Sequence, residues 1–278
     1  MFELPEYIIL SRQINQNLTG KSVLTGNLGN SPHKFVWYNT TEAEFAEQVA
    51  GKRVGESFVR GRWLFIPLTP GFILLFGECG GKLLLHQPGS KKPSKYHIYV
   101  EFTDGSFLTL MTQTWGAMEL YPELSVWKRQ YIHDMRPSPL DQEFTLDHFF
   151  KIIQEATRAK KTSAKALLTQ DQIIPGLGNS IAQDILFNAR LHPKQNLALL
   201  DKERIEMFYH AIHKTIEEII EGGGRYDEVD LFGNPGGYKR LMDKNQVGHP
   251  CPCCDSRVEK LSYLGGSCYL CPSCQTLM

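Results

Sequence analysis

Six of the seven cysteines in this 278-residue chain fall within its last 28 residues, and they restrict the fold more than any other feature. The tail reads GHPCPCCDSRVEKLSYLGGSCYLCPSCQTLM. Cys251 and Cys254 form one C-x2-C pair, Cys271 and Cys274 a second, and sixteen residues separate them. Two such pairs at this spacing suit tetrahedral zinc in a ribbon-type site. Four thiolates leave no coordination position for water, so the expected Zn2+ is structural and holds a hairpin. VEKL and CYL supply that hairpin's strands, with the turn expected at Gly265-Gly266. The alternative is a disulfide cluster, which needs an oxidising compartment. No export signal is legible: the start, MFELPEYIIL, is too acidic and too interrupted for one. Cys253 and Cys268 are left over, and Cys79 stands alone as an expected buried thiol.

Charge narrows the partners. Thirty basic residues balance thirty acidic ones, and the pI is about 7.1. A broadly basic nucleic-acid-binding surface is therefore not expected, although a local patch is compatible with a neutral total. The longest apolar runs, FILLF (72–76) and KLLLH (82–86), have strand length. They fall far short of the roughly 20 residues of a membrane span. The expectation is a monomeric cytoplasmic protein with no membrane partner, nucleoid-associated in a bacterium.

Texture divides the chain. Residues 2–19 read as a helix with Pro5 in its first turn, where proline is tolerated. From about 22 to 131, KFVWY, RWLFIPL, FILLF, KLLLH, HIYVEF and SFLTLM recur with turn signals between them, as in a β sandwich or barrel. HDMRPSPLDQ (133–142) reads as a linker. Thr145 then caps the helical pattern TLDHFFKIIQEATRA, and KERIEMFYHAIHKTIEEIIEG runs to a GGG stop at 222–224. The fold class is α+β and multidomain: helix plus β sandwich over 1–132, a helical domain over 133–246, and a four-cysteine finger over 247–278. Inside the helical domain, GLGN (176–179) opens a helix after Pro175. Such a turn is either a tight helix–helix connection or an anion site built from backbone N–H groups.

Taken together, these segments resemble the formamidopyrimidine-DNA glycosylase / endonuclease VIII family. The resemblance rests on MFELPE, the PSPL linker, Lys165 followed by GLGN and LHP, DLFGNPGGY (230–238) and the GHPCPCC…CPSCQ finger. It implies a helix-two-turn-helix domain and double-stranded, damaged DNA lying between the domains. Asn179 and the finger hairpin would hold phosphates, and Lys165 sits where the family places a lysine near the lesion phosphate. In the family a proline follows Met1; once Met1 is removed, its amine attacks C1′ of the flipped-out nucleoside. Glu3 matches the glutamate that shuttles the sugar's proton.

Position 2, however, is Phe2. A bulky second residue is expected to block removal of Met1, which leaves a primary amine one residue away, up to roughly 3.5 Å along the chain. Arg62 stands where the family has a hairpin lysine. LFGECGG replaces HLxMTG, with its histidine and methionine wedge. MTQTWGA replaces DPRRFGA, so Gln113 and Thr114 take the place of arginines while Trp115 keeps a ring able to wedge. Gly266 replaces the finger arginine. Three readings follow. The first is a glycosylase, with or without lyase activity, that uses the Met1 amine or a Glu3-activated water. The second is an inactive member that reads DNA damage. The third is an unrelated zinc-ribbon protein. The low cation content of 225–238 adds an expectation of weak or lesion-restricted DNA binding.

Overall fold

The structure is a computed structural model that describes all residues except 30, 32–34, 114 and 127–129. Thr114, and Lys34 of the KFVWY run, lie outside the described residues. The chain forms two compact units. The first is Met1–Met135 with Ile220–Tyr238, and the second is Arg136–Ile219 with Lys239–Met278. No helix among the described residues is long and apolar enough to cross a membrane.

The first unit opens with α1 (Leu4–Asn17). The Glu3 N–H donates to the Glu6 carboxylate at 3.0 Å, which closes the helix entrance and places acid at the positive end of the dipole. Ten strands follow: β1 (Val23–Leu28), β2 (Val36–Tyr38), β3 (Arg53–Val54), β4 (Phe58–Arg60), β5 (Trp63–Thr69), β6 (Phe72–Gly77), β7 (Gly81–His86), β8 (Ile98–Phe102), β9 (Phe107–Thr112) and β10 (Gly116–Pro122). The short α2 (Glu42–Val49) comes between β2 and β3. The strands make a four-stranded sheet, β1-β8-β9-β7, and a six-stranded one, β2-β10-β6-β5-β3, with β4 also paired to β5. All pairings are antiparallel except that of β2 with β10.

Leu64, Ile66, Leu74 and Phe76 of the larger sheet and Leu83, Ile98, Val100 and Leu108 of the smaller one share a single core, sealed by Tyr7, Leu10 and Ile14 of α1. The expected sandwich is therefore present. β5 is buried on both faces because Trp63 and Phe65 point away from that core into a second cluster. Val126 and Ile132 complete that cluster, Ile132 from α3 (Gln130–His133). This explains why RWLFIPL reads as a continuous apolar run rather than an alternating one.

The second unit is helical. Its α4 (Leu146–Ala159) is capped by Thr145 Oγ1, which accepts from His148 N at 3.2 Å. α5 (Ala164–Thr169) and α6 (Asn179–Asn188) are joined by the Pro175–Gly178 turns, and α7 (Lys202–Glu221) is the longest helix. Phe144, Phe149, Phe208 and Tyr209 pack α4 against α7. The cysteine tail forms the hairpin β11 (Glu259–Tyr263) and β12 (Gly266–Leu270). Its turn is Leu264-Gly265, one residue earlier than expected, because both residues take the left-handed conformation, φ 52° and 71°, that a two-residue hairpin turn requires. Gln275 holds the finger to the end of α6: its Nε2 donates to Leu191 O at 2.9 Å and its Oε1 accepts from Cys271 N at 3.0 Å.

Candidate functional site

The chain start is held from several directions. The Phe2 ring is 1% exposed, packs edge-on against Tyr7 at 5.7 Å, and its N–H donates to Cys79 O at 2.9 Å. Phe2 therefore offers no free nitrogen, and it anchors Met1 instead. Met1 is exposed, and its amine lies 2.7 Å from Glu228 Oε1. Arg225 is the buried centre of this region, 1% exposed. Its guanidinium donates to Glu6 through Nε (2.8 Å) and Nη2 (2.7 Å) and to Met1 O (2.9 Å), and it lies 3.5 Å from Glu3 and 3.8 Å from Glu228.

Electrostatics sort these acids. Burial pushes the Glu6 carboxyl up, but the Arg225 charge and hydrogen bonds more than reverse this and hold it below its ordinary value. Burial also raises Glu228, and there the Met1 amine and Arg225 offset it only in part. The segment that carries Arg225 and Glu228 follows α7 and turns back on itself tightly: a side-chain carbon at Gly236 would lie 2.1 Å from Gly224 O.

Beside the amine lies a cavity of about 270 Å³ lined by Met1, Gly80, Gly81, Lys82, Gln113 and residues 227–229. Trp115 flanks its wall through Gly80 N, which donates to Trp115 O at 3.2 Å. The Trp115 ring is 57% exposed and leans on Phe35 at 4.7 Å, so it is not a core residue. Arg62 pairs with Glu78 at 3.0 Å, and its Nη1 sits 3.8 Å from Met1 Sδ. Cys79 is buried, as expected, and burial pushes its thiol up to about 12.

In the second unit, Lys165 and Asn179 come together at the hairpin turn. Lys165 is only 2% exposed, and its Nζ donates to Tyr263 O at 2.7 Å. Asn179 begins α6, is exposed, and donates through Nδ2 to Ser267 O at 3.4 Å. A side chain at Gly266 would start 3.4 Å from Lys165 Nζ and 3.5 Å from Asn179 Oδ1. One buried lysine, one exposed amide and the bare backbone of Gly266 thus meet beside the hairpin turn.

The sulfurs of Cys251, Cys254, Cys271 and Cys274 all lie within 4.8 Å of one another. The Cys254–Cys271 and Cys254–Cys274 separations are 3.4 Å, and Cys251–Cys274 is 3.9 Å. Tetrahedral Zn–S bonds of about 2.3 Å require sulfur separations near 3.8 Å, so the donor set fits zinc. Cys253 and Cys268 stay outside the cluster, and all seven thiols are free of disulfides.

Arg225, Glu228 and Lys82 were missed in the sequence. Only the run of charge after GGG hinted at the first two, and their partners near residue 1 lie more than two hundred positions away.

Two family models match. The formamidopyrimidine-DNA glycosylase N-terminal domain covers residues 1–114, and that enzyme's H2TH domain covers 135–229. The chain belongs to the formamidopyrimidine-DNA glycosylase / endonuclease VIII family. Its relatives include the formamidopyrimidine-DNA glycosylases of Chloroflexus aurantiacus, 28% identical over 100% of this chain and 99% of that one, and Bacillus cereus, 27% identical over 99% of each. Among solved structures, Lactococcus lactis Fpg bound to abasic-site DNA superposes with a TM-score of 0.86 at 21% identity, covering 99% of both chains. MutM bound to DNA containing carbocyclic 8-oxo-G gives 0.85 at 22%, again over 99% of both. At those identities the structures establish a shared fold: sheet domain, helix-two-turn-helix domain and cysteine hairpin. The unrelated zinc-ribbon reading is thereby removed.

Proposed function

We propose that this chain is a DNA glycosylase of base-excision repair that acts on damaged bases in double-stranded DNA, with the Met1 α-amine as its attacking group. One observation carries the reading: an exposed amine, 2.7 Å from a carboxylate, on the wall of a cavity of about 270 Å³ in a chain of this family. An α-amine suits attack on C1′ because its ordinary pKa near 8 leaves a usable neutral fraction at neutral pH. Glu3, held by Arg225, passes a proton to the opening sugar. Lys165 and Asn179 hold a backbone phosphate beside the hairpin turn, and Trp115 stacks in the gap left by the flipped base. Arg62 positions the start of the chain and adds positive charge. Cys251, Cys254, Cys271 and Cys274 hold one structural Zn2+ that keeps the β11–β12 hairpin in place. The protein works as a monomer in the cytoplasm, on the nucleoid of a bacterial cell.

The test is base release from duplexes that each carry one lesion: 8-oxoguanine, a formamidopyrimidine or an oxidised pyrimidine. Free damaged base, detected by mass spectrometry at a rate above that for undamaged duplex, is the expected result. Binding without release from any lesion would make the chain a non-catalytic damage reader.

A further inference from the structure

We propose that Glu228 is the general base for the Met1 amine, a role that rests on the glycosylase reading above. The proposal starts from contact: Glu228 Oε1 is 2.7 Å from the amine, and both residues line the same cavity. The other two carboxylates of the cluster are less available. Glu6 accepts two guanidinium hydrogen bonds from Arg225, and Glu3, 3% exposed, lies 3.5 Å from the same guanidinium. Glu228, with its side chain 11% exposed, sees Arg225 only at 3.8 Å.

The groups that face Glu228 are the Met1 amine, Arg225 and Glu6 within the cluster, and Asp227 and Lys82 along the cavity. With Met1, Arg225, Glu3, Glu6 and Glu228 ionised, two cations meet three carboxylates, and the Lys82 and Asp227 charges cancel, so one excess negative charge remains. Burial raises Glu228, which makes it the carboxylate best suited to receive a proton. A base whose affinity approaches that of the amine transfers the proton with the least uphill cost.

The step balances. The ammonium proton passes to Glu228, and the nitrogen lone pair bonds to the C1′ aldehyde carbon of a ring-opened abasic sugar. The carbonyl oxygen gains a proton from the nitrogen to give a carbinolamine. Glu228 then returns its proton to that hydroxyl, which leaves as water as the C=N bond forms. Nothing is oxidised or reduced until an added hydride donor reduces the iminium.

The experiment is cyanoborohydride trapping on an abasic-site duplex across pH, with wild type, Glu228→Gln and Glu228→Asp, after mass spectrometry of each N-terminus. The expected result at about pH 7 is a fall on the order of a hundredfold in the Gln variant. Its rate should converge on wild type above about pH 9, where bulk solvent removes the amine's proton. Recovery at high pH also shows that the variant is folded, and the Asp variant should keep the wild-type profile shape. Equal rates at neutral pH, a faster Gln variant, or a uniform loss at every pH would overturn the role of Glu228 and leave the glycosylase reading standing. A wild type that gives no adduct, or whose amine is blocked or belongs to another residue, would overturn the amine reading itself.

Discussion

Replacing Arg225 with Met tests whether the buried charge cluster holds the start of the chain. Methionine fills much of the same volume, so the loss is electrostatic. Glu6 would lose two guanidinium hydrogen bonds, at 2.8 and 2.7 Å, Glu3 would lose one of its partners, at 3.5 Å, and Met1 O a donor at 2.9 Å. Removing one partner of a buried ion pair costs about 3–5 kcal/mol, because the remaining charge stays buried. In a unit of this size that lowers Tm by roughly 6–20 °C. The four tryptophans, at positions 37, 63, 115 and 127, all fall in the sequence span of the first unit, so urea unfolding is followed there by tryptophan fluorescence. The pH dependence supplies the sign. In wild type, the depressed Glu6 pKa contributes stability that is present above the unfolded value of about 4.3 and is lost as pH falls through the folded value. In the variant, burial without a cation raises Glu6 instead, so stability is lost as pH rises. The deficit of Arg225→Met should therefore shrink between about pH 7 and pH 4, and adding Glu6→Gln should recover part of it. A deficit below about 1 kcal/mol, or one that stays constant with pH, would refute the electrostatic account.

Other substitutions have defined outcomes. Phe2→Pro recreates the family's proline but removes a buried ring and the N–H bond to Cys79 O, so it should destabilise the first unit by about 3–5 kcal/mol in the same urea assay. Lys165→Met should weaken binding to all duplexes alike and reduce the slope of log affinity against log salt by about 1, measured by fluorescence anisotropy. Cys271→Ser, or a strong chelator, should release one zinc per chain and abolish amide-exchange protection across Lys260–Tyr269, since structural zinc free energy is folding free energy.

Periodicity and composition carried the architecture a long way. RWLFIPL, FILLF, KLLLH, HIYVEF and SFLTLM all became strands, because each run is long and apolar enough to fill a sandwich layer. VLTGNL and GAMELYP also became strands, yet their glycine, asparagine and proline hide the pattern until a neighbouring strand supplies pairing. The eight-residue α2 was missed inside a stretch read as strands, although its Thr41-x-x-Glu44 capping box was a local signal for it. The cysteine cluster was readable because metal-ligand spacing is local in sequence. Lys165 shows the opposite: its burial comes from a carbonyl on a hairpin 98 residues away, which no local pattern encodes. The Arg225 cluster was hidden for the same reason, and with it the observation that Glu6 is more than a helix-dipole partner.

The most direct test of the central claim is to locate the covalent bond. The protein is reduced with borohydride on an abasic-site duplex, digested, and the adduct assigned by peptide mass spectrometry. Two amine-bearing residues line the cavity, Met1 and Lys82. The account predicts the sugar remnant on Met1; attachment to Lys82, or DNA bound without any adduct, would contradict it.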